Sequence, residues 1–235
     1  MEGPVVVAEA LDVGAPVTDL FVADEPHAAQ LIARAEERAA RVHVVTDAVL
    51  DSICDTVTPQ GVAAIVRWER RSVRDLLTGA PLILVLASVR DPGNAGTLMR
   101  SALAGGATGV VVARGAVDPL HPKTVRASAG AIFRIPMLRD EDLAPVLAEL
   151  RRSGVTIVGA DAGSKTAPDD VDLSSPIALV LGNESWGLPE DVRSEVDTTV
   201  GIPMPGPAES LNVAIAGSIL MFEAVRQRRL SSPSP

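Results

Sequence analysis

The sequence predicts an α/β protein of two domains, and three observations carry that reading. Strand-like and helix-like segments alternate along most of the 235 residues, the pattern of a mainly parallel or mixed sheet covered by helices. A charged stretch ending in Gly-Ala-Pro, RRSVRDLLTGAP, interrupts the alternation near residue 80. Three distant segments also share one layout: apolar strand, Gly- or Pro-rich loop, then a helix start with uncharged polar side chains. They are LILVLASVRDPGNAGTLMRSALAGG (82–106), IALVLGNESWGLPED (177–191) and TTVGIPMPGPAESLNVAIAGSILMFEAV (198–225). Ligands of open α/β sheets bind beyond the carboxyl ends of strands, so three such loops predict one composite site.

In the first domain, residues 4–14 read as a helix, 19–24 as a strand and 26–40 as a helix with Ala29, Ile32, Ala33 and Ala40 on one side. Strand 41–46, helix 47–55, the turn TPQG and strand 62–68 complete it. In the second domain the expected order is strand 82–88, helix 94–104, strand 109–113, helix 122–129, strand 131–135 and helix 140–152. Strands 155–160 and 177–181, helix 189–195, strand 199–202 and helix 210–229 follow. The domain limits are thus 1–70, a linker at 71–81, 82–230, and a flexible tail at 231–235.

Composition removes several functions. The uncharged run from Ser210 to Phe222 falls short of the roughly 20 apolar residues that a membrane helix needs. The opening MEGPVVVAEALD carries acids where a secretory signal would be basic, and a cytoplasmic protein is expected. The single cysteine, Cys54, lies in a hydrophobic helical pattern and reads as a structural thiol. A net charge of −9 argues against indiscriminate nucleic-acid binding. Residues 81–140, however, hold seven basic residues (Arg90, Arg100, Arg114, Lys123, Arg126, Arg134, Arg139) against three acidic ones, so the first polar loop lies in a net-positive stretch. With no Tyr, three Phe and two Trp, the chain does not resemble modules that stack single-stranded bases on rows of rings.

Familiar signatures are missing. DPGNAG has the wrong glycine spacing for a dinucleotide fingerprint, no P-loop occurs, and GNESWG has one residue too many for a nucleophile elbow. His27, His43 and His121 lack metal-ligand spacing, and no metal is expected.

Within the first segment Asn94 stands at a natural N-cap position, and Ala95, Leu98, Met99, Ala102 and Leu103 form the stripe that packs on the sheet. Arg100 lies in the row Gly96–Arg100–Ala104, whose small neighbours leave a guanidinium room for a ligand; a solvent-exposed arginine at the edge of the stripe is the equal alternative. The second segment places Asn183 and Glu184 on a loop after Leu181-Gly182, where glycine permits close approach to a ligand. In the third, prolines crowd the loop before Ser210, which suits an N-cap, and Leu211 to Val225 is apolar nearly all round, so a deeply buried helix containing Asn212 is expected.

Taken together, N-x-G-x-x-x-R in DPGNAGTLMR, the run LVLGNESWGL and the run IPMPGPAESLNV resemble the SpoU/TrmH branch of the SPOUT RNA methyltransferases. The resemblance covers 82–228, and MEGPVVVAEALDVG is similar to the front of the small RNA-holding α/β domain that many members carry. The chain opens almost at that point, so this domain is expected to be N-terminally short. Ala214 departs from the Ser that members commonly carry there. The resemblance implies a SPOUT domain with a trefoil knot, S-adenosylmethionine as cofactor, and methylation of a ribose 2′-hydroxyl in structured RNA, ribosomal before transfer RNA. It places the cofactor against Leu181, Gly182, Asn183, Gly187, Ile202, Met204 and Leu211, and assigns catalysis to Arg100, Asn94, Glu184, Ser210 and Asn212. It also implies a homodimer with the site near the interface.

Free-base arginine is rare at neutral pH, because a guanidinium gives up its proton only in strongly alkaline solution. Arg100 is therefore expected to stabilise the developing alkoxide and to hold a phosphate rather than to take the proton. An RNA-binding protein of the same fold without catalysis is the alternative from another class. It has no need of all five polar residues, and calorimetry with S-adenosylmethionine separates the two.

Overall fold

The computed structural model describes residues 1–23, 25–56, 58–183 and 185–231. The chain divides into two compact units, Met1–Arg70 with Ala129–Arg134, and Arg71–Ser128 with the chain from Ile135 onward.

The first unit runs α1 (Pro4–Asp12), β1 (Val17–Val22), α2 (Glu25–Glu37), β2 (Arg41–Val44), α3 (Asp47–Ile53) and β3 (Val62–Val66). Its sheet has the order β2-β1-β3, with β2 parallel and β3 antiparallel to β1. Val7, Ala10 and Leu11 of α1 and Ala28, Leu31 and Ala35 of α2 pack with Leu20, Val22, Val62 and Ala64. The buried stripe of α2 differs from the expected one, since Ala29 and Ala33 are exposed. Leucine removes more apolar area from water than alanine, so the helix turns Leu31 inward. The unit also takes in Phe133, which packs against the same core.

Asp19 is a buried carboxylate of this unit, at 6% exposure. His43 Nε2 and Arg41 Nη2 each lie 3.0 Å from its oxygens, and the His43 ring stacks on Phe21 with centroids 4.8 Å apart. The hydrogen bonds from His43, then from Arg41, hold the Asp19 pKa down at about 2. A carboxylate whose pKa is lower folded than unfolded, where it is about 3.9, stabilises the fold above that value and loses its contribution as pH falls to about 2. Asp19→Asn is therefore expected to lower the melting temperature most at pH 5 and above. The gap to the parent protein should close between pH 4 and pH 2 in a series of thermal melts.

In the second unit come α4 (Val73–Leu76), β4 (Leu82–Leu86), α5 (Pro92–Ala104), β5 (Gly109–Ala113), α6 (Pro122–Ala127), β6 (Met137–Glu141) and α7 (Leu143–Arg152). They are followed by β7 (Thr156–Ala160), β8 (Ile177–Leu181), α8 (Glu190–Arg193), β9 (Thr198–Val200) and α9 (Val213–Ser231). All six strands are parallel, in the order β6-β5-β4-β8-β7-β9. Every residue of β4, β5 and β8 is buried, as befits strands covered on both faces. Residues 71–81, read from sequence as a linker, carry α4, whose Val73 and Leu76 enter the core beside Ile83, Val111 and Leu147. The expected tail lies outside the described residues, apart from Ser231, which ends α9.

Several elements depart from expectation: α7 starts at Leu143 rather than at 140, since Asp140 and Glu141 end β6, and three other departures have a clear local cause. The strand expected at 131–135 is a 3-10 turn at Ala131–Phe133, and β6 starts only at Met137. Pro136 has no N–H for a ladder; its carbonyl instead accepts from Val110 N, and pairing begins after it. Second, α5 begins earlier than expected, with Asp91 as its cap: the carboxylate accepts from Asn94 N at 2.8 Å, so Asn94 is inside the first turn. Third, α9 begins at Val213 rather than at Ser210, because Asn212 Oδ1 accepts from Ala214 N at 2.9 Å and Ile215 N at 3.3 Å. Asn212 is thus an exposed cap and not a buried amide.

Nor is α9 buried all round. Val213, Ala214, Gly217, Leu220, Met221 and Ala224 face inward, while Ile215, Ile219 and Phe222 are 53, 42 and 47% exposed. The exposed three recur at helical spacing and form one stripe. Sequence composition shows that both faces are apolar, but only packing shows which one α5 and β8 cover.

Candidate active site

A cavity of about 380 Å³ opens at the carboxyl ends of three neighbouring strands, walled by their last residues Ala160, Leu181 and Val200. That size falls in the range of small-molecule sites, roughly 300–1,000 Å³. Gly182, Asn183 and Gly187 line it from the loop after β8, and Ile202, Met204, Ser210 and Leu211 from the loop after β9. All seven residues proposed for the cofactor therefore lie on one wall-to-wall surface, although the sequence separates them by up to 30 positions.

Close backbone packing shapes these loops. Asn183 and Gly187 exchange both backbone hydrogen bonds at 2.9 Å, which folds the loop over Gly182. A Cβ at Gly182 would stand 2.2 Å from Gly187 O and 2.6 Å from Leu188 N. The missing side chain thus makes way for the loop's own backbone, where the sequence suggested a ligand. After β9, Gly201 N donates to Thr166 O, and Asp161 N donates to Val200 O, so the outgoing chain runs against the 161–166 loop.

The first segment reaches this site through side-chain contacts from its loop and helix start: Ser88 Oγ donates to Gly187 O at 3.4 Å, and Arg90 lies over the Trp186 ring. Asn212 Nδ2 donates to Asn94 Oδ1 at 3.0 Å, linking α5 to the start of α9 across 118 residues of sequence. Asn212 is flanked by Leu211 and Val213, which both line the cavity. Arg100 is not brought to the cavity wall; it is exposed on α5, with no ion pair among the described residues. Gly96, one turn earlier in its row, does not make room for a ligand. A Cβ there would meet Ala127 Cβ at 2.4 Å, so the glycine admits α6 against α5. Glu184 lies outside the described residues.

Sequence reasoning missed an ion pair in the cavity wall. Arg193 Nη1 of α8 lies 2.6 Å from Asp161 Oδ2, and both line the cavity. The Gly163 amide first, and Arg193 after it, hold the Asp161 carboxyl below the usual range. One signal was available: Asp161 follows an apolar strand in IVGADAG, the same strand-to-small-residue layout as the three segments that were singled out. Trp186, also on the cavity rim, gave no such signal.

The remaining candidates have structural roles. His121 Nδ1 accepts from Lys123 N and caps α6, and His43 bonds Asp19. The side chain of His27 lies outside the described residues. Burial, then Glu2, pushes the half-buried Cys54 thiol up to about 11, which keeps it unreactive. No group of three or more metal-ligating residues occurs among the described residues, and no helix of the structure is long and apolar enough to cross a membrane. In the net-positive stretch, Arg114, Lys123 and Arg139 lie 3.8–3.9 Å from Asp140, Asp91 and Asp118 respectively.

Comparison with known proteins matches both units. The profile of the SpoU rRNA Methylase family covers residues 81–222, and that described as RNA 2′-O ribose methyltransferase substrate binding covers residues 1–70. The chain belongs to the SpoU rRNA methylase family. It is an RNA 2′-O-ribose methyltransferase with S-adenosylmethionine as methyl donor, as the three motifs led one to expect. The trefoil knot comes with the family. A 23S rRNA (guanosine-2′-O-)-methyltransferase RlmB of Xylella fastidiosa is 38% identical over 83% of this chain and 82% of its own. An uncharacterized tRNA/rRNA methyltransferase of Mycobacterium marinum is 35% identical over 95% of this chain and 75% of its own. Among solved structures, the SpoU methyltransferase AviRb of Streptomyces viridochromogenes, in complex with AdoMet, has a TM-score of 0.87 at 31% identity, covering 99% of this chain and 91% of that one. An AdoMet-bound rRNA methyltransferase of Sinorhizobium meliloti has a TM-score of 0.83 at 33% identity, covering 99% and 87%.

The cavity suits the donor. Leu181, Ile202, Leu211, Val213 and Leu220 supply apolar wall, while Asp161, Glu209 and Arg193 supply both signs of charge for a molecule that itself carries both.

Proposed function

We propose that this protein methylates the 2′-hydroxyl of a nucleotide in ribosomal RNA, with the cavity residues Leu181, Gly182, Asn183, Gly187, Ile202, Met204 and Leu211 holding the methyl donor. The observation that carries the site assignment is the Asn212–Asn94 hydrogen bond, which ties the first polar segment to the cavity-lining third one. The relatives named for 23S ribosomal RNA, at 36–38% identity over most of both chains, support the substrate class. A cytoplasmic location goes with that substrate.

S-adenosylmethionine, when bound, supplies an electrophilic methyl group. The chain's own groups then have to position and activate a weakly acidic sugar hydroxyl. Arg100 stabilises negative charge developing on the 2′-oxygen and holds the neighbouring phosphate; a guanidinium does both through its planar fork of donors. Asn94, fixed by Asn212, orients the ribose or Arg100. Ser210 shapes the cavity wall, and Glu184 anchors its loop or Arg100. A cavity poor in water favours the transfer, because opposite charges cancel as the new bond forms.

The protein acts as a homodimer with the site near the interface. The exposed stripe Ile215, Ile219 and Phe222 supports this reading, since contiguous apolar surface on a soluble fold marks an interaction face. Phe222→Glu is expected to shift the protein from dimer to monomer in sedimentation velocity; a dimer that withstands it would place the interface elsewhere.

The substrate is tested by mapping 2′-O-methyl sites in total RNA of a deletion strain against its parent. One ribosomal site should vanish, and the purified protein should restore it on RNA from the deletion strain. A lost site in transfer RNA, with ribosomal sites intact, would overturn the substrate assignment.

A further inference from the structure

Trp186 is one of two tryptophans in a chain without tyrosine, yet its ring is 55% exposed. The turn that presents it is closed at its base by the paired Asn183 and Gly187 backbones, and Ser185 N donates to Asn183 Oδ1 at 2.8 Å. The ring borders the cavity. The Arg90 guanidinium lies 5.3 Å from its centroid, and Arg90 comes from the loop between β4 and α5, four residues before Asn94. Trp186 therefore meets the first polar loop on one side and the cavity on another. Arg90 makes no ion pair among the described residues. A large ring held in place at the rim of a site, with a guanidinium against its face, does nothing for the core and is suited to a planar partner.

We infer that Trp186, backed by Arg90, is the surface on which the base of the target nucleotide stacks while its ribose is methylated; this rests on the reading under Proposed function. Every nucleobase offers a π face, and proteins read unpaired RNA by stacking such bases on aromatic rings and guanidinium planes. The methyl donor fits this position less well. The apolar wall that would hold it is formed by Leu181, Ile202, Leu211 and Leu220, whereas Trp186 stands at the solvent edge. One ring suffices here, because a single nucleotide has to be held and not a strand. Trp186 and Arg90 are positioning residues, since neither is placed at the reacting oxygen.

The test uses full-length protein and ribosomal RNA purified from the deletion strain. Trp186→Ala is expected to raise KM for RNA about tenfold, as stacking energies per base imply, with KM for S-adenosylmethionine unchanged. Trp186→Phe should restore most of the loss, and Arg90→Ala should raise KM for RNA a few-fold. In Trp68→Phe protein, where Trp186 is the only tryptophan, its fluorescence should be quenched by that RNA and not by S-adenosylmethionine. A raised KM for S-adenosylmethionine with KM for RNA unmoved would overturn the inference in favour of a donor contact. Dissociation of Trp186→Ala protein into monomers would overturn it in favour of a subunit contact. If the parent protein fails to methylate this RNA, the substrate assignment fails and the stacking role with it; if only the variants behave as parent, the stacking role alone fails.

Discussion

Arg100→Ala is expected to lower the single-turnover rate of methyl transfer by about 10²–10³-fold, the range seen when one group that stabilises transition-state charge is removed. Binding of S-adenosylmethionine should be unchanged, because Arg100 is absent from the cavity wall and exposed on α5. The pair of measurements, rate with a labelled methyl donor and calorimetric titration of that donor, separates a role in chemistry from a role in holding the cofactor. Arg100→Lys keeps the charge but loses the planar fork, so it should fall between the two. Near-normal turnover of the alanine variant with intact donor binding would remove Arg100 from the mechanism. Weakened donor binding would place the guanidinium closer to the cavity than the structure does.

Gly182→Ala should do the opposite, removing donor binding together with stability. The new methyl would collide with Gly187 O at 2.2 Å, Gly187 C at 2.3 Å and Leu188 N at 2.6 Å, all of them backbone atoms that no rotamer change can move aside. The loop must shift, and with it the Asn183–Gly187 pairing that builds one side of the cavity. Overpacking of this kind costs about 1–3 kcal/mol. Thermal melts and the same calorimetric titration check both effects. Gly206→Ala, with nothing within 4 Å of the added carbon, is the control that should behave as the parent. A Gly182→Ala protein that melts normally and binds the donor would show that this loop tolerates displacement.

Motifs were the legible part of the site. Strand, polar loop and helix start recur in three segments, and residues from two of them line the same cavity while the third reaches it through Ser88, Arg90 and Asn94. The reasons assigned to single residues fared less well. Gly96 and Gly182 read as openings for a ligand, yet both accommodate other parts of the chain. A glycine in a sequence reports that something comes close, not what it is. Ser210 read as the cap of α9, but Asn212, equally able to accept from the first turn, takes that place two residues later. Asp161–Arg193 and Trp186–Arg90 bring together residues 32 and 96 positions apart, and no local pattern encodes either pair.

By itself the sequence determined the alternation of strands and helices, the separation into two α/β units, and the family to which the motifs belong. Those properties live in short-range order: apolar periodicity, breaker residues and motif spacing within a few turns of chain. The tertiary structure alone decided which face of α9 stays open, where the caps lie, and which charged and aromatic side chains meet at the cavity. Such choices depend on what covers each residue, and burial is a property of neighbours that arrive from elsewhere in the chain.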